Sequence, residues 1–373
     1  RAREEKVRVI HGSGGGWSED DDRRMMLPYW EAQNAGGTLL RISSASFMGY
    51  EDNATEQIMK KLNLEFEQVD GLRDDSCADD VQDEELVEKL RSAAGIWFGG
   101  GLPGRVVSCL YGHTAEAFGI NTAPEDTTPV LEALWAHPLV GGISAGAMMQ
   151  PSAALYNGNE ISYRPSLANS GSAIRIGEAL MNNRGAGFVQ DQFTIHSHFS
   201  ERGYQGMMPV ALVQRVADNL NWAAGFDEGG VGHYYESTGE VFTRGVPDRG
   251  TGIALFSDCL GDEHAQQCLT HFVSDGDVWN SRTGEFDMAE GKQLCTGTQA
   301  VPEARCASPA LPTVPATSAP RSSRVSSVSP HPRSYLPSRQ SSVSFCLSSL
   351  SISLSLYLSP LLANPTAGRR PAQ

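Results

Sequence analysis

The feature that most constrains this chain is a change of hydrophobic period that repeats along its first 230 residues. Short apolar runs that end near glycine alternate with segments whose apolar residues recur every three or four positions. Val7-Arg-Val-Ile10 runs into a glycine cluster, His11 to Gly16. Thr38 to Ile42 is a second run, and Gly95-Ile-Trp-Phe98 leads into Gly99-Gly-Gly101. Leu139 to Ile143, Phe193 to Ile195 and Trp222 to Phe226 complete the set. Between them, Ile58, Met59 and Leu62 mark one helix face and Leu86, Val87 and Leu90 another. Thr128-Pro129 supplies an N-cap and an N1 proline to a helix carrying Val130, Leu131, Leu134 and Trp135. Pro209 opens a further helix with Val210, Val213 and Leu220 inward. Strands alternating with helices predict an α/β fold: a mostly parallel sheet, helices on both faces, and a site at the carboxyl ends of the strands. From Gly232 to about Glu290, turn strings such as Ser237-Thr-Gly-Glu240 and Ser281-Arg-Thr-Gly-Glu285 predict β-hairpins at the edge of that sheet.

Charge and composition divide the chain. The formal net charge of −15 is uneven: from Ala300 onward seven arginines face Glu303 alone, an excess of +6 that leaves −21 on the rest. So acidic a body repels phosphate backbones, which argues against nucleic acid as a partner, while a cationic substrate is tolerated. Residues 299–373 are rich in Ser, Pro and Arg, a composition expected to stay disordered, so residues 1–298 are expected to form the domain. Within that tail, Phe345 to Ala363 nears membrane-spanning length, but its frequent serines argue against a span. No membrane partner is expected. The seven cysteines are an odd, scattered set without a CxxC pair, which predicts neither a disulfide framework nor structural zinc. Cys259 and Cys268 either pair across a hairpin or stay free. Asn53-Ala-Thr55 is a glycosylation sequon that matters only for a secreted chain, and the compartment stays open.

Gly142-Ile-Ser144-Ala-Gly146 matches G-x-S-x-G, a sharp strand-to-helix turn that projects a serine hydroxyl. The flanking glycines permit close approach, and Ala145 offers the next backbone N–H to a developing oxyanion. Local sequence alone also admits an ordinary glycine-rich turn with a helix-capping serine. A serine nucleophile needs a base, and the base needs an orienter. His198 follows the strand at Phe193, and Glu228 follows the strand at Trp222, so Ser144, His198 and Glu228 are expected at the carboxyl ends of strands in one sheet. The order Ser…His…Glu differs from that of α/β-hydrolases. Two other readings stay open: His196 and His198 on one strand face as a metal pair with Asp227, Glu228 or His233, or a pair of surface histidines. Asp227 competes with Glu228 as orienter.

Taken together, Gly142-Ile-Ser-Ala-Gly-Ala147, His198-Phe-Ser-Glu-Arg-Gly203 and Gly225-Phe-Asp-Glu228 resemble the cyanophycinase and aspartyl-dipeptidase family of serine peptidases, over about residues 7 to 290. The Gly99-Gly-Gly101 turn and Val273-Ser-Asp-Gly-Asp277 fit as well. The resemblance implies a flavodoxin-like three-layer sandwich of the class I glutamine-amidotransferase type. It implies a Ser144–His198–Glu228 triad and an oxyanion hole from the backbone of Ala145, Gly100 and Gly101. It implies no cofactor and no metal, and a peptide or amino-acid-polymer substrate such as β-aspartyl-arginine or aspartyl peptides; a homodimer is compatible with it. A glutamine amidotransferase proper would carry cysteine where Ser144 stands. The chain departs from the cyanophycinase pattern around the pocket. Gly-Gly-Asp-Gln becomes Gly100-Gly-Leu-Pro103, the pair before the histidine is His196-Ser197, and of three expected arginines Arg202 remains, with Tyr204 and Met207 at the other two positions. Pro103, His196, Ser197 and Arg202 are therefore the expected substrate-binding positions. Lost polar partners there change substrate recognition more than chemistry. The alternatives carried forward are a metal-dependent hydrolase using His196 and His198, and an inactive ligand-binding homologue.

Overall fold

The computed structural model describes residues 5–14, 17–43, 53–72, 76–113, 127–152, 154, 185–189, 193–199, 201, 212, 220–246, 251–261 and 266–298. The expected helix after Pro209, the tail from residue 299 and its serine-leucine stretch lie outside them.

The first half lays down parallel strands and their covering helices: β1 (Val7–His11), α1 (Glu19–Met25), α2 (Leu27–Asn34), β2 (Leu39–Ile42), α3 (Asn53–Leu62), β3 (Phe66–Gln68), α4 (Cys77–Asp80), α5 (Glu84–Ser92), β4 (Gly95–Phe98), α6 (Pro103–Leu110), α7 (Pro129–Ala136), β5 (Leu139–Ile143) and α8 (Ala145–Met148). The second half is nearly all strand: β6 (Phe193–His196), β7 (Trp222–Phe226), β8 (Val231–Tyr235), β9 (Glu240–Arg244), β10 (Gly252–Gly261), β11 (Gln266–Ser274), β12 (Val278–Asn280), β13 (Phe286–Asp287) and β14 (Cys295–Thr298).

Local chemistry accounts for the helix starts. Ser18 accepts from the Asp21 amide at the head of α1, and Asp83 accepts from the Glu85 and Leu86 amides at the head of α5. The Thr128 hydroxyl accepts from the Leu131 amide and donates to the Leu110 carbonyl, which ties α7 to α6.

The strands form two sheets rather than one. The first has nine strands in the order β13-β12-β9-β8-β1-β5-β4-β2-β3. It is parallel across β1-β5-β4-β2-β3 and antiparallel across β1-β8-β9-β12-β13. The second has five strands in the order β14-β11-β10-β7-β6, parallel only between β6 and β7. The expected hairpins turn at Gly239 and Gly284, with φ of 77° and 74°. They extend the main sheet, whereas β10 and β11 make a long hairpin that belongs to the second sheet. The fold is thus mixed α/β, and its parallel character is confined to one half of the main sheet and the β6–β7 pair of the second. The reason is the chain's second half: consecutive short strands joined by tight turns can only pair antiparallel.

Strand alternation divides the core. On one face of the parallel half, Leu40, Ile42, Ile96, Phe98 and Val140 pack with α5, α6 and α7. On the other, Val9, Leu39, Trp97 and Leu139 meet Met25, Tyr29, Ile58 and Leu62. These are the helix layers of a three-layer sandwich. Ile10, Tyr234 and Val241 of the main sheet pack against Phe193, Ile195, Ala224, Phe226, Ile253 and Leu255 of the second. Sheet therefore packs on sheet on this face.

The cysteines also differ from expectation. Cys77 and Cys109 are joined by a disulfide with Cα atoms 4.9 Å apart, and both are buried. Cys268 is disulfide-bonded as well, one of the two states left open for it. Spacing could not show the first bridge, because its two ends meet only when α4 packs on α6.

Candidate active site

Ser144 follows β5, which lies between β1 and β4 in the parallel half, and its amide donates to the His11 carbonyl of β1 at 3.0 Å. Its φ of 54° is a left-handed value that a residue with a side chain rarely adopts. The neighbouring glycines make the turn geometrically feasible. A Cβ on Gly142 would stand 2.6 Å from the backbone of Gly146, and one on Gly146 would stand 2.4 Å from the Phe98 carbonyl oxygen. The turn therefore folds back on itself and packs on β4, and nothing larger than glycine fits at either point. Helix α8 after it is a single turn of four residues. A macrodipole that short adds little. Oxyanion stabilisation would rest on individual amides, chiefly that of Ala145, which its own helix cannot pair.

The Ser144 Oγ lies 2.9 Å from Nε2 of His198, and Nδ1 of His198 lies 2.7 Å from Oε1 of Glu228. His198 is buried, with φ of 52° in the turn after β6. The Glu228 side chain is 38% exposed. The expectation that all three residues leave strands of one sheet is corrected. Ser144 leaves the nine-stranded sheet, and His198 and Glu228 leave β6 and β7 of the five-stranded one. Their side chains meet where the carboxyl ends of β5 and of the parallel β6–β7 pair converge.

The turn that carries Glu228 is held at each amide. Asp227 N–H donates to the Gly252 carbonyl, Gly229 N–H to Ser13 and Gly230 N–H to Asp227. Gly229 takes φ of 85°, as the third position of a type II turn requires. The Glu228 amide is held instead by a side chain: it donates to Oε1 of Glu201 at 2.9 Å. Sequence reasoning passed over Glu201, although its place three residues after His198 put it within reach. Burial raises the Glu201 pKa, backbone hydrogen bonds oppose that, and the charges of Asp227 and Glu228 add to the rise.

The other expected site residues divide. Gly100 and Gly101 follow β4, and Phe98 pairs with Gly142, so the glycine turn sits one strand across from Ser144. Gly101 takes φ of 137° and is exposed. Pro103 is buried at the first turn of α6, where it starts a helix rather than lining an open surface. His196 and Ser197 are also buried. Nδ1 of His196 lies 2.7 Å from the Ser197 carbonyl oxygen. Arg202, Tyr204 and Met207 lie outside the described residues. Leu102, beside the glycine turn, is 39% exposed.

The metal-pair geometry is corrected too. His196 ends β6 while His198 lies in the following turn, so the two do not share a strand face. His233 is buried with Nε2 2.8 Å from the Met25 carbonyl oxygen, on the α1 side of the main sheet. Among the described residues, no three side chains of His, Cys, Asp or Glu are grouped to hold a metal ion. No helix among them is long and apolar enough to cross a membrane.

No family model and no curated protein matches this chain. Solved structures do resemble it. One is a peptidase from an acI-B1 Actinobacterium, 15% identical, covering 79% of this chain and 98% of its own, with a TM-score of 0.43. Another is a candidate peptidase E protein from Listeria monocytogenes EGD-e, 18% identical, covering 65% of this chain and 99% of its own, with a TM-score of 0.39. Likenesses this distant leave the function of this chain to its own site.

Proposed function

We propose that this protein is a serine hydrolase of peptide or isopeptide bonds, with Ser144 as nucleophile, His198 as general base and acid, and Glu228 as orienter. The observation that carries the reading is the continuous chain of contacts from Ser144 Oγ to His198 Nε2 and from His198 Nδ1 to Glu228 Oε1, at 2.9 and 2.7 Å. It begins at a serine held in a strained turn. In the tautomer this arrangement favours, Nδ1–H donates to Glu228, which leaves Nε2 free to accept the serine proton. As Oγ bonds to the carbonyl carbon, its proton passes to Nε2. The oxyanion is taken by the Ala145 amide and the Gly100–Gly101 turn. His198 then protonates the leaving amine as the C–N bond breaks. Water, deprotonated by His198, hydrolyses the acyl-enzyme and frees Ser144. No step requires a cofactor.

The finer reading is an exopeptidase with aspartyl or β-aspartyl substrates, on the strength of the motif resemblance. Leu102 and Pro103 stand where cyanophycinases carry Asp-Gln, so cyanophycin is the substrate that tests first whether the changed pocket keeps that recognition. A fluorophosphonate probe is expected to label the wild type and not Ser144→Ala. Release of β-aspartyl-arginine from insoluble cyanophycin is expected to fall by about three orders of magnitude or more in the same variant. A folded protein that the probe does not label is an inactive homologue. Loss of hydrolysis on chelation would favour the metal-dependent reading.

A further inference from the structure

We propose that Glu201 is a positioning residue for the catalytic pair: it fixes the orienter Glu228 against the base His198 by accepting the Glu228 backbone N–H. The inference rests on the Ser144–His198–Glu228 reading and extends it to a fourth side chain.

Four successive amides of the Glu228 turn are paired, those of Asp227, Glu228, Gly229 and Gly230. Three donate to backbone carbonyls, at 3.2, 2.7 and 2.9 Å for Asp227, Gly229 and Gly230. Glu228 alone depends on a side chain. That side chain comes from the segment that carries the base, since Glu201 follows His198 by three residues. The same segment is pinned to the exit of β7 by the Phe199 N–H, which donates to the Phe226 carbonyl at 3.1 Å. Two links, one backbone and one through Glu201, therefore hold the base-bearing turn and the orienter-bearing turn in register. The electrostatics make the second link informative. Glu201 stands beside Asp227 and Glu228, whose charges raise its pKa. Three carboxylates repel one another unless something holds each in place. For Glu201 the Glu228 amide is such a hold, and a carboxylate accepting N–H is a charge-assisted bond.

The expected consequence is specific. Removing the Glu201 carboxylate frees the Glu228 backbone, so the His198–Glu228 contact is made less often and Ser144 is activated less often. Glutamine keeps an acceptor oxygen in the same place and should restore the function. The test is the rate of Ser144 labelling by a fluorophosphonate in the full chain, with thermal unfolding measured alongside. Glu201→Ala is expected to label about tenfold more slowly at an unchanged unfolding temperature, and Glu201→Gln to recover most of the rate. In a Glu228→Ala background, Glu201→Ala should add little, because the orienting carboxylate that it positions is already gone. Equal rates for wild type and Glu201→Ala overturn the inference and leave the triad reading intact. So does a Glu201→Ala loss that persists in full in the Glu228→Ala background. If Glu201→Ala does not fold, a Glu201→Gln variant that folds but labels as slowly as Glu228→Ala also overturns it. A wild type that the probe does not label overturns the triad reading and this inference together.

Discussion

Ser144 and His198 share an uncommon trait: both take a left-handed backbone, with φ of 54° and 52°. Such positions cost on the order of 1–3 kcal/mol and persist only when the surroundings over-determine them. Here the surroundings are the Gly142 and Gly146 close approaches on one side and the Phe199–Phe226 and Glu201–Glu228 bonds on the other. The remaining buried histidines do a different job. Burial lowers the pKa of His233 to about 4, against 6.5 for the free side chain. A depressed histidine contributes stability above the unfolded pKa and loses it as pH falls from about 6.5 toward 4. Between pH 7 and 4.5 that loss is roughly 2 kcal/mol for one group. Burial lowers the pKa of His137 too, so the wild type should lose more than this one share. Urea unfolding at the two pH values is expected to show a smaller acid loss for His233→Gln than for the wild type. Equal losses would mean that His233 is not the titrating group.

At the scale of elements, the turn after β4 and the turn after β5 face each other because Phe98 pairs with Gly142. Helix α6 starts immediately after the first turn, is buried along its whole length, and is tied to α4 by the Cys77–Cys109 bridge. A bridge that closes a separation of 32 residues restricts the unfolded chain and contributes about 4 kcal/mol. Cys77→Ala/Cys109→Ala is expected to lower the urea midpoint accordingly. It should also slow Ser144 labelling, because α6 carries the Gly100–Gly101 turn. A midpoint unchanged from the oxidised wild type would show that α6 is held by packing alone. Most elements were legible in sequence. The strand at Leu139–Ile143, the helix capped by Thr128, and the hairpin turns at Gly239 and Gly284 follow from period and turn chemistry. The disulfide was not, since spacing along the chain carries no distance between α4 and α6.

At the scale of the whole molecule, the candidate triad bridges two sheets, so its geometry depends on their mutual packing through Ile10, Phe193, Ile195 and Phe226. The outer edge of the second sheet is closed by β14, whose residues pair from Leu269–Thr298 to Phe272–Cys295. A chain ending after Thr298 is expected to unfold within about 2 °C of the full chain, because the remaining residues have too little apolar surface to add a core. A chain ending before Cys295 loses β14, bares the β11 edge beside the half-exposed Leu269, and should unfold several degrees lower and associate more readily. Equal melting temperatures for the two truncations would show that β14 contributes nothing to the second sheet.

The candidate triad residues stand at positions that the amino-acid order marks: a serine flanked by two glycines after an apolar strand, a histidine and a glutamate each just past another strand. Local sequence determines them because turn geometry and hydrophobic period are short-range properties. Which sheet each strand joins is a long-range property. No local pattern tells which strands of the second half share a sheet, and only the packed structure shows that β8 takes the edge of β1 while β6 and β7 belong to a separate sheet. For the same reason only the fold shows that His196 and His198 part ways, that His196, Ser197 and Pro103 are buried, and that Glu201 reaches the Glu228 amide. Contacts between segments far apart in sequence are decided by what the core can bury, which no local window contains.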